Sequence, residues 1–507
     1  MLRANEVTLA TMMSRGGYST GMFGKWHLGD NYPYRPEDRG FDEVYRHGGG
    51  GVGQTPDVWD NAYFDGAYFH NGKVEPAEGF CTDVFFDAAS NFIRDQAAAD
   101  KPFLAYISTN APHGPLHCPT EYLEKYPDQN KRIASFFGMI SNIDDNVGRM
   151  RQLIGELGIT DNTIFVFTTD NGTATGDTIF NADMRGKKGS PYEGGHRVPF
   201  MMHWPDAGMN VAHSSDVLCH AVDVVPTLLD LCGVTKPDDV TFDGTSMRSI
   251  LMPGESSAID PDRFLVTDSQ RVRDPIKWRQ SSVMQGKWRL VNGNELYNVA
   301  SDADQSDNVA EQHPERVAAM RAFYESWWAE LEPTFAETTE IVLGHPDHPV
   351  VSMTAHDWIQ DQLPPWNQGQ IRNGDATNNK RKQPLAAKTH DGHWAVRVDQ
   401  AGRYQMEVSR YPVESGAAIT ASLPPGEGVP GADQAFRQRP GKAINADSAE
   451  LRIDGQSLQS KPVSSTDHSI TFEVSLQTGS HELSPIFRVG DNQVGAYYCI
   501  ATFLDPN

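Results

Sequence analysis

Apolar residues recur every three to four positions in several long stretches of the chain, and short, continuously apolar runs separate them. The helical period predicts helices over residues 5–15, 81–96, 133–157 and 218–231, with Gly16-Gly17, Gly158 and Gly233 as stops. Residues 18–23, 103–108 (Phe-Leu-Ala-Tyr-Ile-Ser), 163–169 (Thr-Ile-Phe-Val-Phe-Thr-Thr) and 198–204 read as strands. Strands alternating with helices predict an α/β fold, with a mostly parallel central sheet flanked by helices.

The pattern changes near Pro253. Residues 263–285 and 287–291 are strand-like, and 313–331 form an amphipathic helix, which predicts a small α+β subdomain. A loose region follows, polar and rich in Asn, Gln and Lys over 366–385. From Gly392 onward alternation dominates, as in Trp394-Ala-Val-Arg-Val and Tyr404-Gln-Met-Glu-Val, which predicts an appended β-sandwich. The expected organisation is an α/β catalytic domain over 1–255, an α+β subdomain over 256–335, a linker or long loop over 336–385, and a β-sandwich accessory domain over 386–507. The aromatics of that last region (Trp394, Tyr404, Tyr411, Tyr497, Tyr498) could stack on sugars, but burial in the core is the favoured reading.

Charge narrows the functional classes. With 43 Lys and Arg against 67 Asp and Glu in 507 residues, the formal net charge is −24. That argues against non-specific nucleic-acid binding, which needs cations to displace counterions from phosphates. It leaves room for an anionic substrate in a locally basic cleft. No apolar stretch is long enough for a membrane span. The five cysteines contain no Cys-x-x-Cys, so neither a disulfide scaffold nor a zinc ribbon is expected. Residues 1–10 lack the apolar core of a signal peptide.

Four segments carry candidate chemistry. In Gly24-Lys25-Trp26-His27-Leu28-Gly29, an extended backbone would turn Lys25 and His27 to one face, offering a fixed cation and an imidazole to one anion. Asn110-Ala111-Pro112-His113-Gly114-Pro115 follows a predicted strand, and its prolines fix a loop where open α/β sheets place ligands. Asp170-Asn171-Gly172 follows the strongest strand pattern; its carboxylate and amide oxygens suit Ca²⁺ or Mg²⁺, though a tight turn or an Asn-Gly-Thr glycosylation sequon fits as well. Gly-Lys-Lys-Gly-Ser-Pro-Tyr-Glu-Gly-Gly-His-Arg-Val-Pro at 186–199 combines close-approach glycines with Lys187 and Lys188, scarce cations in so acidic a chain.

Taken together and in this order, the four segments resemble the sulfatase family of the alkaline phosphatase superfamily. The likeness extends over most of the first 330 residues, including Asn-Glu-Val-Thr-Leu-Ala at 5–10, Gly40-Phe41-Asp42, Asp144-Asp145-Asn146-Val147-Gly148 and Glu295-Leu296-Tyr297. It implies a sulfuric ester hydrolase acting on a sulfated small molecule or polysaccharide. It further implies Asp170 and Asn171 as ligands of Ca²⁺ or another divalent cation, Lys25 and Lys188 as holders of the sulfate oxygens, His27 as the partner of the nucleophile, and His113 as the group that contacts the sulfate or protonates the leaving oxygen. These six residues are expected to gather around one tetrahedral oxyanion. A phosphodiesterase or phosphonate hydrolase of the same superfamily, or a non-catalytic carbohydrate-binding relative, is the alternative. Family members are usually periplasmic or secreted.

One family element is missing. The nucleophile, a formylglycine made from Cys, or a Ser, lies in Cys/Ser-x-Pro/Ala-x-Arg, and no cysteine or serine of this chain satisfies that pattern. The paired aspartates that complete the family's metal site are absent as well. Both lie upstream, in the family, of the segment matching residues 5–29, so the expectation is an N-terminally truncated sulfatase with little or no turnover and poor metal affinity.

Overall fold

The computed structural model describes residues 1–209, 212–252, 259–270, 272–360, 363–373, 392–428, 436–438 and 440–506. The chain forms two compact units. The first comprises residues 1–14, 18–146 and 338–507, and the second residues 15–17 and 147–337. The expected boundary at 255/256 and the polar stretch from 374 to 385 lie outside the described residues.

The N-terminal part of the first unit is built on a five-stranded sheet. Its strands are β1 (Ser19–Gly24), β2 (Glu43–Arg46), β3 (Ala67–His70), β4 (Lys73–Pro76) and β5 (Phe103–Ser108), in spatial order β4-β3-β2-β1-β5. β1 pairs in parallel with β2 and β5, whereas β3 pairs antiparallel with β2 and β4. The sheet is therefore mixed instead of mostly parallel: β2, β1 and β5 run parallel on one side, where chemistry is expected, and the β3–β4 hairpin forms the other. Helices α1 (Leu9–Arg15), α2 (Cys81–Ala98) and α3 (Lys131–Glu156) accompany it. Cys81, Phe85, Ala89, Phe92 and Ile93 are buried along one face of α2, and Phe92 meets Phe23 of β1 at 5.6 Å between ring centroids. Helix α1 starts later than the pattern predicts because Thr8 takes the capping role, its Oγ1 accepting the Thr11 N–H at 3.1 Å.

In the second unit, β6 (Phe165–Thr168) and β7 (Phe200–His203) are the two clear sequence strands. They pair with each other, antiparallel, instead of extending a parallel ladder. Parallel pairing needs a crossover, normally a helix, and between them only the single turn Glu193–His196 is helical. Helix α4 (Val224–Cys232) is stopped by Gly233 at φ +65°, as the sequence predicts. The expected α+β element follows. Strands β8 (Phe264–Asp268), β9 (Ser281–Gln285), β10 (Trp288–Val291) and β11 (Glu295–Asn298) form an antiparallel sheet. Helix α5 (Pro314–Leu331) covers it with buried Val317, Met320, Tyr324 and Trp328.

The chain then returns to the first unit. Within the segment expected as linker or long loop, 336–385, lie β12 (Ile341–Leu343), β13 (Val350–Thr354) and helix α6 (Gln368–Asn373). β12 and β13 each join a different sheet of the C-terminal sandwich. The period-2 signal of Val-Val-Ser-Met-Thr is short and surrounded by polar residues, so tertiary pairing decides it. One sheet runs from β12 through β14 (Trp394–Val398), and the other joins β13 to β15 (Gly402–Ser409) and a C-terminal strand, Tyr498–Asp505. Trp394, Tyr404, Tyr411, Tyr497 and Tyr498 are all buried between the sheets, so none is a surface platform for sugar. The N-terminal part of the unit is fastened to the sandwich by specific bonds. Tyr498 Oη donates to the Thr55 carbonyl at 3.2 Å, and Gln368 Nε2 donates to the carbonyls of Gln54, Asp57 and Val58.

Candidate active site

In the first unit the carboxyl ends of the parallel strands β5, β1 and β2 carry the candidate residues. β1 ends at Gly24, whose φ of +116° and contact with Ser108 exclude a side chain; a Cβ there would fall 2.2 Å from the Ser108 carbonyl oxygen. Two bonds stitch the strand ends beyond it: Lys25 N–H donates to the Ser108 carbonyl at 2.6 Å, and Ser108 Oγ–H donates to the Lys25 carbonyl at 2.6 Å. Trp26 points the other way. Its Nε1 donates to the Tyr34 carbonyl at 2.8 Å and its ring meets Phe41 edge-on at 5.9 Å. The backbone then turns left-handed at His27, φ +64°, so the extended path expected through Lys25-x-His27 ends there.

His27 is solvent-exposed, with its ring laid against Gly50. Gly50 belongs to the loop that follows β2. The loop is held from within: Asp57 accepts N–H bonds from Gly48 at 3.0 Å and Gly53 at 2.7 Å, and from Asn61 Nδ2 at 3.0 Å. Burial pushes the Asp57 carboxyl up to about 7, against those three donors. At the same rim Asp30 accepts from Arg46 at 2.9 Å and from the Gly49 N–H at 3.1 Å. Desolvation is the main force holding the His27 imidazole down to about 4, followed by the charges of Lys25, His356 and His113, with Asp30 opposing. The ring is thus neutral at pH 7, with one nitrogen able to accept a hydrogen bond.

His113 lies on the loop after β5. It is exposed, its N–H donates to the Asn110 carbonyl at 2.9 Å, and Tyr63 Oη–H donates to the His113 carbonyl at 3.0 Å. Lys25, His27 and His113 are therefore brought to adjacent strand ends of one sheet.

Asp170, Asn171 and Lys188 belong to the second unit, where two loops are zipped together. Gly172 N–H donates to the Gly195 carbonyl at 3.0 Å, and Lys188 N–H donates to the Thr173 carbonyl at 2.8 Å. Gly172 has no room for a side chain, since a Cβ would lie 1.9 Å from the Gly194 carbonyl oxygen. Lys187 is ion-paired with Asp177 at 3.1 Å; among the described residues no ion pair engages Lys188. The Lys188 loop is anchored by Glu193, buried and paired with Arg289 at 2.7 Å, and by Arg185, which lies 3.9 Å over the Tyr192 ring.

The oxygens of Asp170 and Asn171 are of the right kind for Ca²⁺, and Asn171 spends only its Nδ2 internally, on the Gly172 carbonyl at 2.9 Å. Two donors are too few, because Ca²⁺ takes six to eight oxygens. Among the described residues no group of three or more His, Cys, Asp or Glu side chains is placed to hold a metal. The residues present do not by themselves make a metal site.

One residue at this rim was not singled out from the sequence. His356, which follows β13, lies 5.8 Å from His27 between ring centroids. The available signal was His356-Asp357 directly after an alternating run, inside a segment read as loop.

Comparison with known proteins bears on the family and the fold. Residues 2–234 match the family model described as Sulfatase. The chain is 29% identical over 269 residues to the uncharacterized sulfatase YdeN of Escherichia coli (strain K12), covering 48% of this chain and 46% of that protein. It is 27% identical over 267 residues to the N-acetylgalactosamine-6-sulfatase of Homo sapiens, covering 49% of each. The chain thus spans about half the length of the curated relatives it matches. Among solved structures, Ps i-CgsB in complex with k-i-k-neocarrahexaose is similar at TM-score 0.56 and 26% identity, over 64% of this chain and 77% of that one. Residues 2–234 of this chain therefore carry a sulfatase-family domain.

Proposed function

We propose that this chain recognises sulfate esters of a carbohydrate and belongs to a sulfuric ester hydrolase. The observation that carries the proposal is the stitching of Lys25 to Ser108, which sets Lys25 and His27 at the end of β1 beside the His113 loop at the end of β5. A sulfate ester is an anion that resists attack by another anion, so a site for it must gather cations and a proton carrier. In the first unit Lys25 supplies a point charge to the sulfate oxygens. His27, neutral at pH 7, accepts a hydrogen bond from the attacking group. His113, exposed and with Nδ1 2.8 Å from the Gly114 carbonyl, delivers a proton to the departing sugar oxygen. Asp170 and Asn171 would offer two oxygens to a divalent cation, too few to hold it by themselves.

Carbohydrate as the substrate class is supported by the relatives: one is by name a sulfatase of N-acetylgalactosamine, and one solved neighbour holds a neocarrahexaose. With no Cys/Ser-x-Pro/Ala-x-Arg in its sequence, the 507-residue chain binds the ester and turns it over slowly or not at all. Calorimetric titration of the full chain with inorganic sulfate and with a sulfated oligosaccharide tests this. Binding that is lost in Lys25→Ala and His27→Ala, together with negligible release of sulfate from an aryl sulfate, is expected. Equal affinity for phosphate esters would favour the phosphodiesterase alternative, and aryl sulfate hydrolysis at ordinary enzymatic rates would refute the proposed lack of turnover.

A further inference from the structure

Behind the exposed ring of His27 lies a second imidazole, contributed from more than 300 residues later in the chain. The His356 side chain is 12% exposed and follows β13 on a short turn, Ala355–Asp357. Its Nδ1 lies 3.6 Å from Oδ1 of Asp357, whose side chain is 11% exposed. Both ring nitrogens of His356 are buried without a hydrogen-bond partner, as is Oδ2 of Asp357. Such groups are costly to bury, and a bare structural role would be served better by an apolar pair.

The order is thus an outward imidazole, an inward imidazole and a carboxylate. We propose that His356, backed by Asp357, is a positioning residue for His27: it sets the orientation of the His27 ring and holds it in the neutral form. The inference rests on the functional reading above and assigns that site a residue from the C-terminal part of the chain.

Charge supports it. Burial opposes a proton on His356, but Asp357 and then Asp30 outweigh burial, with the Met1 amino group acting the other way, so its value is raised. A proton on His356 would add to Lys25 and His113 in disfavouring one on His27, against Asp30. Two neighbours confine the His27 ring: Gly50, where a Cβ would fall 2.3 Å from Cε1, and the His356 ring, 5.8 Å away between centroids and tilted by 54°.

The test is the titration of His27 in the full chain, read from the imidazole carbon resonances of histidine-labelled protein and assigned with His27→Gln. In His356→Gln the His27 midpoint should rise by about one pH unit through loss of a like charge. Asp357→Asn should move it the same way by a smaller amount, and this second variant decides the matter should His356→Gln fold poorly. An unchanged His27 midpoint in a folded variant overturns the inference. The readout needs no ligand, so failure of the wild-type chain to bind sulfate would count against the proposed function while the His27 shift still decides this one. Where sulfate binds, His356→Gln should weaken it several-fold, and His356→Lys, which keeps the charge but not the ring, should leave the His27 midpoint low.

Discussion

Gly50 and His27 touch: a Cβ added at Gly50 would fall 2.3 Å from Cε1 and 2.4 Å from Nε2 of the His27 ring. No rotation of a methyl group relieves such an approach, so a side chain at 50 must displace the imidazole. Gly50→Ala is expected to cost about 1–3 kcal/mol of stability by overpacking. It should also weaken sulfate binding by about tenfold, equivalent to ~1.4 kcal/mol. Gly51→Ala, whose new Cβ would approach only the Gln54 side chain, at 3.4 Å, is the control. Calorimetry and urea unfolding of the two variants check this.

Asp57 gives the same loop a pH dependence. Its carboxyl is pushed up to about 7 by burial, from an ordinary 3.8. A carboxyl raised in the folded state favours folding when protonated, so its contribution is full below pH ~4 and is lost as pH rises through about 7. Urea unfolding should therefore show stability falling between pH 4.5 and 7.5 by on the order of 2–4 kcal/mol from this group. Asp57→Asn should flatten that slope while lowering stability at pH 5, because the amide turns a donor toward a backbone N–H.

In the second unit Asp223, fully buried, accepts from Arg263 through both oxygens at 2.9 and 2.7 Å, and from the N–H groups of His220 and Thr245. Asp223→Ala strands the guanidinium and two backbone donors. The expected loss is about 3–5 kcal/mol, read by thermal unfolding and by protease sensitivity within residues 147–337.

Arg410 is likewise buried, and donates to the carbonyls of Ile371, Arg372, Ala421 and Lys442. Arg410→Ala should cost at least ~3 kcal/mol, since several carbonyls lose their donor together. Arg410→Lys should recover little of it, because an ammonium cannot span acceptors that a planar fork reaches. Denaturant unfolding monitored by tryptophan fluorescence distinguishes the two variants.

The sequence alone determined which local elements form. Helices such as 81–96 and 313–331 and strands such as 18–23 and 103–108 follow from periodicity and glycine stops, since those signals act within a few residues. It also singled out the candidate side chains, because Lys25, His27, His113, Asp170, Asn171 and Lys188 sit in motifs legible without neighbours. Tertiary structure decided the rest. The antiparallel pairing of β6 with β7, the entry of β12 and β13 into the sandwich, and the left-handed turn at His27 depend on contacts between distant residues that no local period encodes. The approach of His356 to His27 belongs to the same class: a pairing across more than 300 residues leaves no trace in spacing, and it comes about where the C-terminal part of the unit meets the loops after β1 and β2.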